Sequence, residues 1–238
     1  MYELYIANKN YSSWSLRPWV LLRQLQIPFV EHLIAFGDAP RWDAYRNISP
    51  SGKVPCLVDG EIVVWDSLSI AEYLASQHAA VWPTDRGARA WARSAAAEMH
   101  SGFAELRNRC SMSCGIRIRL NEFPTALTRD IARLDALWND GLRRFGGPFL
   151  AGSEFTAVDA FFAPVAFRIQ SYGLTLDRAA AEYAERLLNL APMRDWYSAA
   201  LKETMRDLPH EAEILQMGSV LQDLRAPTRQ SMQPLVGQ

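Results

Sequence analysis

The sequence predicts an α/β domain followed by an all-helical domain, on the basis of three observations. From residue 1 to about residue 78, short β-type runs alternate with helix-type runs, which is typical of a sheet with crossover helices. Residues 79–87 contain Pro and Gly and show no hydrophobic period, so they indicate a linker. Residues 88–218 show helical periodicity only. The polar residues 219–238 are predicted to form a flexible tail.

The first predicted domain has the order β-α-β, then β-β-α. A helix begins near Ser15 and ends at Pro28. Asp59-Gly60 links two β-prone runs, which is a strong signal for a hairpin. Asp66-Ser67 supplies capping side chains for the helix that follows. The predicted strands are residues 2–7, 29–34, 54–58 and 62–65.

Helical stripes fill the second predicted domain. Apolar residues repeat with a 3.6-residue period over residues 91–110 and again over residues 127–145. Thr156, with Asp159 three residues later, forms a capping box for another helix, which ends at Gly173. Two further helices are predicted at residues 177–190 and 192–203.

Composition and charge exclude several classes of function. The chain has 238 residues, with 25 basic and 26 acidic side chains and a formal net charge of −1. It therefore lacks the positive field that nucleic acid or an anionic membrane would require. No apolar run approaches the ~20 residues of a membrane span, and residues 1–3 open directly into a strand. We expect a cytoplasmic protein without nucleic-acid or membrane partners.

The 3 cysteines and 4 histidines give little basis for a disulfide framework or a metal site. Cys110 and Cys114 would share one face of a helix, so a redox pair or half of a metal site is an alternative. No third ligand stands at zinc spacing beside them, and we expect no metal. Cys56 is interpreted as a core residue.

Four local motifs carry most of the functional information. The first is SSWSLRP at residues 12–18, the second is Lys53-Val54-Pro55 before the hairpin, and the third is Asp66-Ser67. The fourth is the capping box at residues 156–159, with Pro164 five residues after it. In this combination and order, the chain resembles the soluble glutathione transferases over residues 1 to about 215. The resemblance implies an N-terminal thioredoxin-like domain that binds glutathione as co-substrate, and a helical domain that binds a small electrophile.

The first motif suits the stabilisation of a thiolate. It lies where a strand ends and a helix begins, and the unpaired N–H groups of a helix N-terminus favour anions. A free thiol has a pKa of about 8.5, so hydroxyl donation there raises the reactive fraction. In serine-dependent members of the family, the first serine of a matching stretch has this role, which the resemblance assigns to Ser12. Ser13 is the next candidate and Ser15 a third, and helix capping is the alternative role.

The same motif argues against thioredoxin-like redox chemistry. In oxidoreductases of that kind the turn carries Cys-x-x-Cys, and here Ser12 and Ser15 occupy the two thiol positions. The turn itself therefore has no sulfur to oxidise.

The resemblance also assigns contacts with glutathione. Val54-Pro55 corresponds to the family's cis-proline, whose bend leaves the backbone of Val54 free to pair with the tripeptide. Ser67 would hold the γ-glutamyl carboxylate, Asp66 would face its amine, and Lys53 would add a charge near the glycyl end. The alternatives are a trans-proline at the start of a strand, an ordinary N-cap and a solvated lysine.

The electrophile is expected between the domains, against the first long helix of the second domain. Met99 and Phe103 belong to the apolar stripe there, so core packing is their alternative role. Arg107 belongs to a cluster with Arg109, Arg117 and Arg119, which would either steer an anionic substrate or form a solvated helix end. The candidate contacts are Trp14, Met99, His100, Phe103 and Arg107.

Three functional hypotheses follow from these motifs. The first is conjugation of glutathione to a hydrophobic electrophile, as in detoxification. The second is glutathione-dependent isomerisation, because the serine motif most resembles the zeta branch, which includes maleylacetoacetate isomerase. That match is incomplete: Trp14 replaces a cysteine, Pro18 replaces a valine, and Arg168 does not align with the branch's substrate arginine. The third is a non-catalytic protein that binds glutathione or hydrophobic ligands. The resemblance also implies a homodimer.

Overall fold

The computed structural model describes residues 1–35 and 45–227 of the chain. Its N-terminal part contains strands and helices in the predicted β-α-β, β-β-α order. These elements are β1 (Tyr2–Ile6), α1 (Ser13–Gln24), β2 (Phe29–Leu33), β3 (Cys56–Asp59), β4 (Ile62–Val64) and α2 (Ser67–Ala75). The strands form one sheet in the order β2-β1-β3-β4, with β1 parallel to β2 and antiparallel to β3. This arrangement confirms the thioredoxin-like prediction.

The core of this part is built from the two-residue alternation of a strand and the one-turn spacing of a helix, which the sequence shows. Leu4 and Ile6 alternate on the buried face of β1, and Leu16 and Val20 lie one helical turn apart on α1. Cys56 is fully buried at the start of β3, which confirms its interpretation as a core residue. Burial raises the pKa of the Cys56 thiol, so this group stays protonated.

The C-terminal region is helical, as predicted. A 3₁₀ turn at Ala79–Val81 lies within the predicted linker, and the first long helix follows it. The helices are α3 (Arg86–Ser101), α4 (Ala104–Arg109), α5 (Thr125–Phe145), α6 (Ala157–Tyr172), α7 (Arg178–Asn189), α8 (Ala191–Lys202) and α9 (Leu208–Met217). In the described part of the chain, no helix is long and apolar enough to cross a membrane.

The stripe over residues 91–110 is two helices rather than one. α3 ends at Ser101, and Phe103 adopts a left-handed backbone with φ of 53° before α4 begins. The predicted pairing of two cysteines on one helical face is therefore wrong, since Cys110 ends α4 and Cys114 lies in the turn beyond it. Both thiols are buried, and burial raises the pKa of Cys110 to about 12.

Two strands in the C-terminal region were not predicted. They are β5 (Ile116–Leu120) and β6 (Gly218–Asp223), which pair antiparallel. In β5, buried apolar residues alternate with arginines, a period of two that the sequence analysis interpreted as the charged end of a helix. A strand of this length needs a partner, and its partner lies about a hundred residues further along the chain.

The predicted flexible tail is wrong for its first residues. Residues 219–223 belong to β6, and the chain after them is also held by backbone bonds. Leu224 donates to Gly115 at 2.8 Å, and Ala226 donates to Leu201 at 2.7 Å. Residues 228–238 of the predicted tail lie outside the described residues.

The predicted capping box at the start of α6 is present and is part of a buried network. The Asp159 carboxylate accepts hydrogen bonds from the backbone N–H of Thr156 at 2.9 Å and of Leu150 at 3.1 Å. It also accepts one from the Tyr183 hydroxyl at 2.8 Å. Burial raises the pKa of Asp159 to about 6, although these donors oppose the shift.

We expect Asp159→Asn to lower the free energy of unfolding by about 2 kcal/mol, because an amide cannot accept all of these bonds and leaves buried donors unpaired. Urea unfolding followed by circular dichroism measures the change. Asp195→Asn is the control, since this exposed carboxylate has only a surface ion pair with Arg23. Equal losses in the two variants would show that the network does not stabilise the fold.

Candidate functional site

Two adjoining cavities lie where the three N-terminal motifs meet the C-terminal helices. The first, which we call the serine cavity, has a volume of about 520 Å³ and is lined by Ser12, Ser13 and Trp14 on one side. The second, the proline cavity, has a volume of about 390 Å³ and is lined by Pro55 and Asp66 among others. Trp14, Lys53 and Val54 line both cavities, so these residues form the boundary between the two.

The three candidate serines have different environments. Ser12 is the N-cap of α1, and its hydroxyl donates to Ser15 Oγ at 2.7 Å. Ser15 is fully buried, lines neither cavity, and accepts a hydrogen bond from the Ala7 N–H at 3.2 Å. Ser13 is half-buried and lines the serine cavity, and its hydroxyl has no partner within residues 1–35 and 45–227. Ser15 is thus a supporting residue, whereas Ser12 and Ser13 are accessible to a ligand.

The link between Ser12 and Ser15 allows Ser12 to donate into the cavity. Ser15 Oγ already accepts from Ala7, so its own hydroxyl proton is free to turn towards Ser12. This rotation moves no heavy atom and leaves the Ser12 proton available for an anion. In such a chain each hydrogen bond polarises the next, which makes the last hydroxyl a better donor.

The loop before β3 presents an unpaired stretch of backbone. The Val54–Pro55 peptide bond is cis, as the family resemblance implies. Neither the N–H nor the C=O of Val54 is hydrogen-bonded to any described residue, although the residue borders both cavities. Lys53 beside it is exposed. An extended peptide therefore finds a free donor and acceptor at this position.

The N-terminus of α2 lies at the edge of the proline cavity. Asp66 Oδ1 caps this helix by accepting from the Leu68 N–H at 2.8 Å, and the other carboxylate oxygen lies 3.2 Å from His100 Nε2. Ser67 is 1% exposed, and its Oγ has no hydrogen-bond partner among the described residues. A buried hydroxyl without a partner is costly in the free protein, and a helix N-terminus favours anions.

His100 lies nearer to the α2 N-terminus than the sequence analysis expected. Its ring lines the proline cavity, stacks edge-on against Trp14 at 5.3 Å, and has Nδ1 3.5 Å from Arg17 Nη1. Burial lowers the pKa of His100, Asp66 opposes this shift, and the positive charges of Arg17 and Arg107 add to the lowering. His100 is therefore neutral at pH 7 and connects the two domains through Asp66.

This environment predicts a pH dependence of stability. Because the folded state lowers the pKa of His100, the unfolded chain binds its proton first, and stability falls as the pH drops through about 6.5. We expect His100→Gln to make Tm less sensitive to pH between pH 7.5 and pH 5.5. Calorimetry on both proteins measures this slope, and an unchanged slope in the variant would contradict the assignment.

Met99 and Phe103 do not belong to the site. Met99 is fully buried, Phe103 is 6% exposed, and neither lines the serine or the proline cavity. The prediction that they contact substrate is therefore wrong, and their alternative role in the core holds. Both residues share the apolar 3.6-residue period of the core residues around them. The sequence alone does not show which residues of such a period border a cavity.

One member of the arginine cluster lines a cavity. Arg107 borders the serine cavity and donates to the His100 carbonyl at 3.0 Å. Arg109 pairs with Glu105 and Glu122 at the surface instead. Arg117 donates to backbone carbonyls and to Tyr197, while Arg119 is exposed on β5. None of these three arginines lines either cavity, and the alternative of a solvated helix end is correct for Arg109 but wrong for Arg117 and Arg119, which lie on β5.

Sequence reasoning missed several groups that line or support the serine cavity. Arg168 borders it from α6, and a lone arginine in an otherwise apolar helix was the available signal. His210 and Asp207 border it from α9 and the residue before α9. Tyr11 also lines it, and its hydroxyl donates to Glu211, which in turn pairs with Arg225. No sequence signal indicated that α9 would reach this cavity, or that Arg225 after β6 would contact Tyr11 and Glu211.

A metal centre is not indicated in the described ranges, which contain no group of three His, Cys, Asp or Glu residues able to hold an ion. The groups that border the two cavities are instead hydroxyls, the unpaired backbone of Val54, one imidazole and one carboxylate in each cavity, and several cations. Such a set suits the binding of a short acidic peptide and the stabilisation of an anion.

Comparison with known proteins finds similar chains and similar folds. The family model described as "Glutathione S-transferase, N-terminal domain" matches residues 11–77. The chain is 29% identical over 175 residues to the glutathione S-transferase-like protein OpS6 of Beauveria bassiana, covering 68% of this chain and 76% of OpS6. It is 28% identical over 170 residues to glutathione S-transferase Z2 of Arabidopsis thaliana, covering 66% and 74%.

Two further comparisons define the extent of the likeness. Glutathione S-transferase T2 of Arabidopsis thaliana is 27% identical over 207 residues, which is 79% of this chain but only 32% of that longer relative. A crystal structure of a glutathione transferase homolog from Burkholderia with bound glutathione superposes with a TM-score of 0.62 at 20% identity, covering 84% of this chain and 97% of that one. The fold extends over both domains. The N-terminal part of the chain, residues 11–77, matches the family model of the glutathione S-transferases.

Proposed function

We propose that this protein holds the thiol of glutathione as a thiolate and transfers it to a small electrophile. One observation carries the proposal: the free backbone of Val54 stands between a cavity with serine hydroxyls and a cavity that ends at a helix N-terminus. A tripeptide paired with Val54 has its sulfur beside Ser12 and Ser13 and its γ-glutamyl end beside Asp66.

Each residue then has a distinct role. Ser12 donates a hydrogen bond from its hydroxyl to the sulfur, and Ser15 supports that donor through its own hydrogen bond to Ser12. Ser13 lies beside the sulfur in the serine cavity. The N-terminus of α1 adds a favourable field for the negative charge. Ser67 and Asp66 bind the γ-glutamyl carboxylate and amine, Lys53 the glycyl end, and His100 positions Asp66 through its ring nitrogen.

The reaction follows from a stabilised thiolate. The thiol proton leaves to solvent, the sulfur attacks an electrophilic carbon, and a C–S bond forms as the leaving group departs with its electron pair. Binding in the serine cavity brings the two reactants together in the required orientation. Trp14 and Arg107 are the proposed contacts with the electrophile.

The test measures thiolate formation and turnover separately. Ultraviolet difference spectra of bound glutathione against pH give the pKa of its thiol, which we expect to lie below the free value of about 8.5. Conjugation is measured with a chloronitroaromatic acceptor. Binding without a shift of the thiol pKa and without turnover would support the non-catalytic alternative instead.

Isomerisation is the second candidate, favoured by the likeness to the Z2 protein. It uses the same thiolate, which adds to a cis double bond and is eliminated again after rotation, so glutathione is not consumed. A maleyl acid offered with catalytic amounts of glutathione distinguishes the two reactions. Isomerised product with glutathione unchanged would replace conjugation as the function.

We also propose a homodimer in the cytoplasm, as the family resemblance implies. Ile62 and Trp65 are 51% and 41% exposed near the edge strand β4, which offers apolar surface for a second copy. The three cysteines are all free, which suits a reducing compartment. Light scattering that gives only the mass of a single chain would contradict the dimer.

A further inference from the structure

The serine cavity is bordered by a buried charge that has no counter-ion among the described residues. Arg168 on α6 is 4% exposed, and its Nε donates to the Cys110 carbonyl at 2.8 Å. Its two terminal nitrogens have no hydrogen-bond partner within the described ranges, 1–35 and 45–227. Because Arg168 lines the cavity, these nitrogens are available to whatever occupies it.

Two more guanidinium groups stand close to Arg168. Arg107 borders the same cavity. Arg17 is 2% exposed, and its guanidinium carbon lies 4.2 Å from the centre of the Trp14 ring and 4.8 Å from the centre of the Phe161 ring. Burial lowers the pKa of Arg17 to about 9, and the charges of Arg168 and Arg107 contribute to this lowering. Burial likewise lowers the pKa of Arg168 to about 10. Arg17 and Arg168 still carry charge at neutral pH.

Carboxylates do not neutralise this cluster. Asp66 is the acid nearest to Arg17, but its carboxylate is half exposed and pairs with His100. Asp207 lines the serine cavity, yet no acidic residue of the described part of the chain forms an ion pair with Arg107 or Arg168. Burying a cation without a partner costs desolvation free energy, and an anion that binds in the site offsets this cost.

Part of the cavity wall is apolar. Trp14 and Met112 both line it. Arg107 packs over the Trp14 ring, with its guanidinium carbon 5.4 Å from the ring centre. The cavity thus has a cationic end and an aromatic wall, and the serine hydroxyls lie at its boundary with the glutathione site.

We propose that the electrophile carries a carboxylate, which Arg107 and Arg168 bind, while its apolar body lies against Trp14 and Met112. This inference rests on the proposed function and narrows its substrate class from hydrophobic to anionic electrophiles. A planar carboxylate matches the paired donors of a guanidinium group.

A matched pair of acceptors tests the inference. In 4-chloro-3-nitrobenzoate and 4-chloro-3-nitrobenzamide the reacting carbon is the same, and only the distal group differs in charge. In both, the glutathione sulfur bonds to the carbon that holds chlorine, the C–Cl bond breaks, chloride leaves with the bonding pair, and the thiol proton passes to solvent. Rates are corrected for the uncatalysed reaction of each compound.

We expect kcat/KM to favour the carboxylate over the amide by about tenfold or more. Arg107→Gln and Arg168→Met should each reduce this ratio by about tenfold. Arg109→Gln is the matched control, since it removes the same charge from the same helix at the surface and should leave the ratio unchanged. If Arg168→Met does not fold, the ratio of kcat/KM is measured with Arg168→Lys and Arg107→Gln instead.

Failure of the inference is separable from failure of the proposed function. Calorimetry with the unreactive 3-nitrobenzoate and 3-nitrobenzamide, in the presence of glutathione, measures the preference without turnover. Preferred binding of the carboxylate with no conjugation would support the inference and refute the transferase function. Equal kcat/KM for the two acceptors would overturn the inference. It would also be overturned if Arg107→Gln raised the KM for glutathione and left the ratio between the acceptors unchanged, because the cations would then bind the carboxylates of glutathione.

Discussion

Replacing Ser12 with alanine is expected to return the thiol of bound glutathione to a pKa near that of the free thiol, about 8.5. The variant loses the hydroxyl that we place beside the sulfur, at the end of the hydrogen-bond chain from Ala7 through Ser15. A hydrogen bond to a charged group contributes about 1.5–3 kcal/mol, so kcat/KM should fall by about 10- to 100-fold. Ultraviolet titration and steady-state kinetics measure the two effects.

Ser13→Ala is the matched comparison, because Ser13 lines the same cavity but has no relay behind it. We expect a smaller effect on both measurements. Ser12 is also an N-cap, so Tm must be measured to separate a loss of stability from a loss of donation. If Ser13→Ala shifts the thiol pKa and Ser12→Ala does not, the donor is Ser13 and Ser12 only caps the helix.

Replacing Ser67 with alanine is expected to weaken glutathione binding without destabilising the free protein. The Ser67 hydroxyl is buried and has no partner in the described part of the chain, so its removal relieves a cost in the unliganded state. In the complex it would bond to a carboxylate, and the loss of that bond should raise Kd by about 10- to 100-fold. Calorimetric titration gives Kd, and thermal unfolding gives the stability of the free protein.

The control for this prediction lies on the same helix. Ser69 is exposed and lies two residues further along α2, so Ser69→Ala removes an identical group away from the cavity. Its Kd should equal that of the parent. A Ser67→Ala variant that unfolds at lower temperature but binds glutathione normally would show that this hydroxyl has a structural role only.

Much of the N-terminal part was predictable because its signals are local. The Asp59-Gly60 turn and the cap at Asp66 each depend on residues that are neighbours in the chain. The cis bond before Pro55 was an expectation from the family resemblance, which was attached to a short motif. Since each of these features is set within a few residues, a single sequence contains the information.

The C-terminal region was predicted less completely because its decisive contacts are distant in sequence. β5 was missed, since its alternation only becomes a strand when β6 pairs with it. The helical stripe up to Cys110 was interpreted as one helix, because the left-handed turn at Phe103 interrupts the backbone without interrupting the apolar period. Periodicity reports which residues are buried, and it does not report where the axis bends.

The sequence by itself determined the order of the N-terminal elements and the serine turn, because hydrophobic period and capping chemistry act over a few residues. The residues proposed to hold a tripeptide came from the family resemblance. Only the tertiary structure decided which serine is buried and which faces a cavity, and that Arg107 and Arg168 border one cavity while their charges act on the buried Arg17. These charges come from three different helices. Electrostatic interactions depend on distance in space and on burial, so their effect on the site arises only when the helices pack.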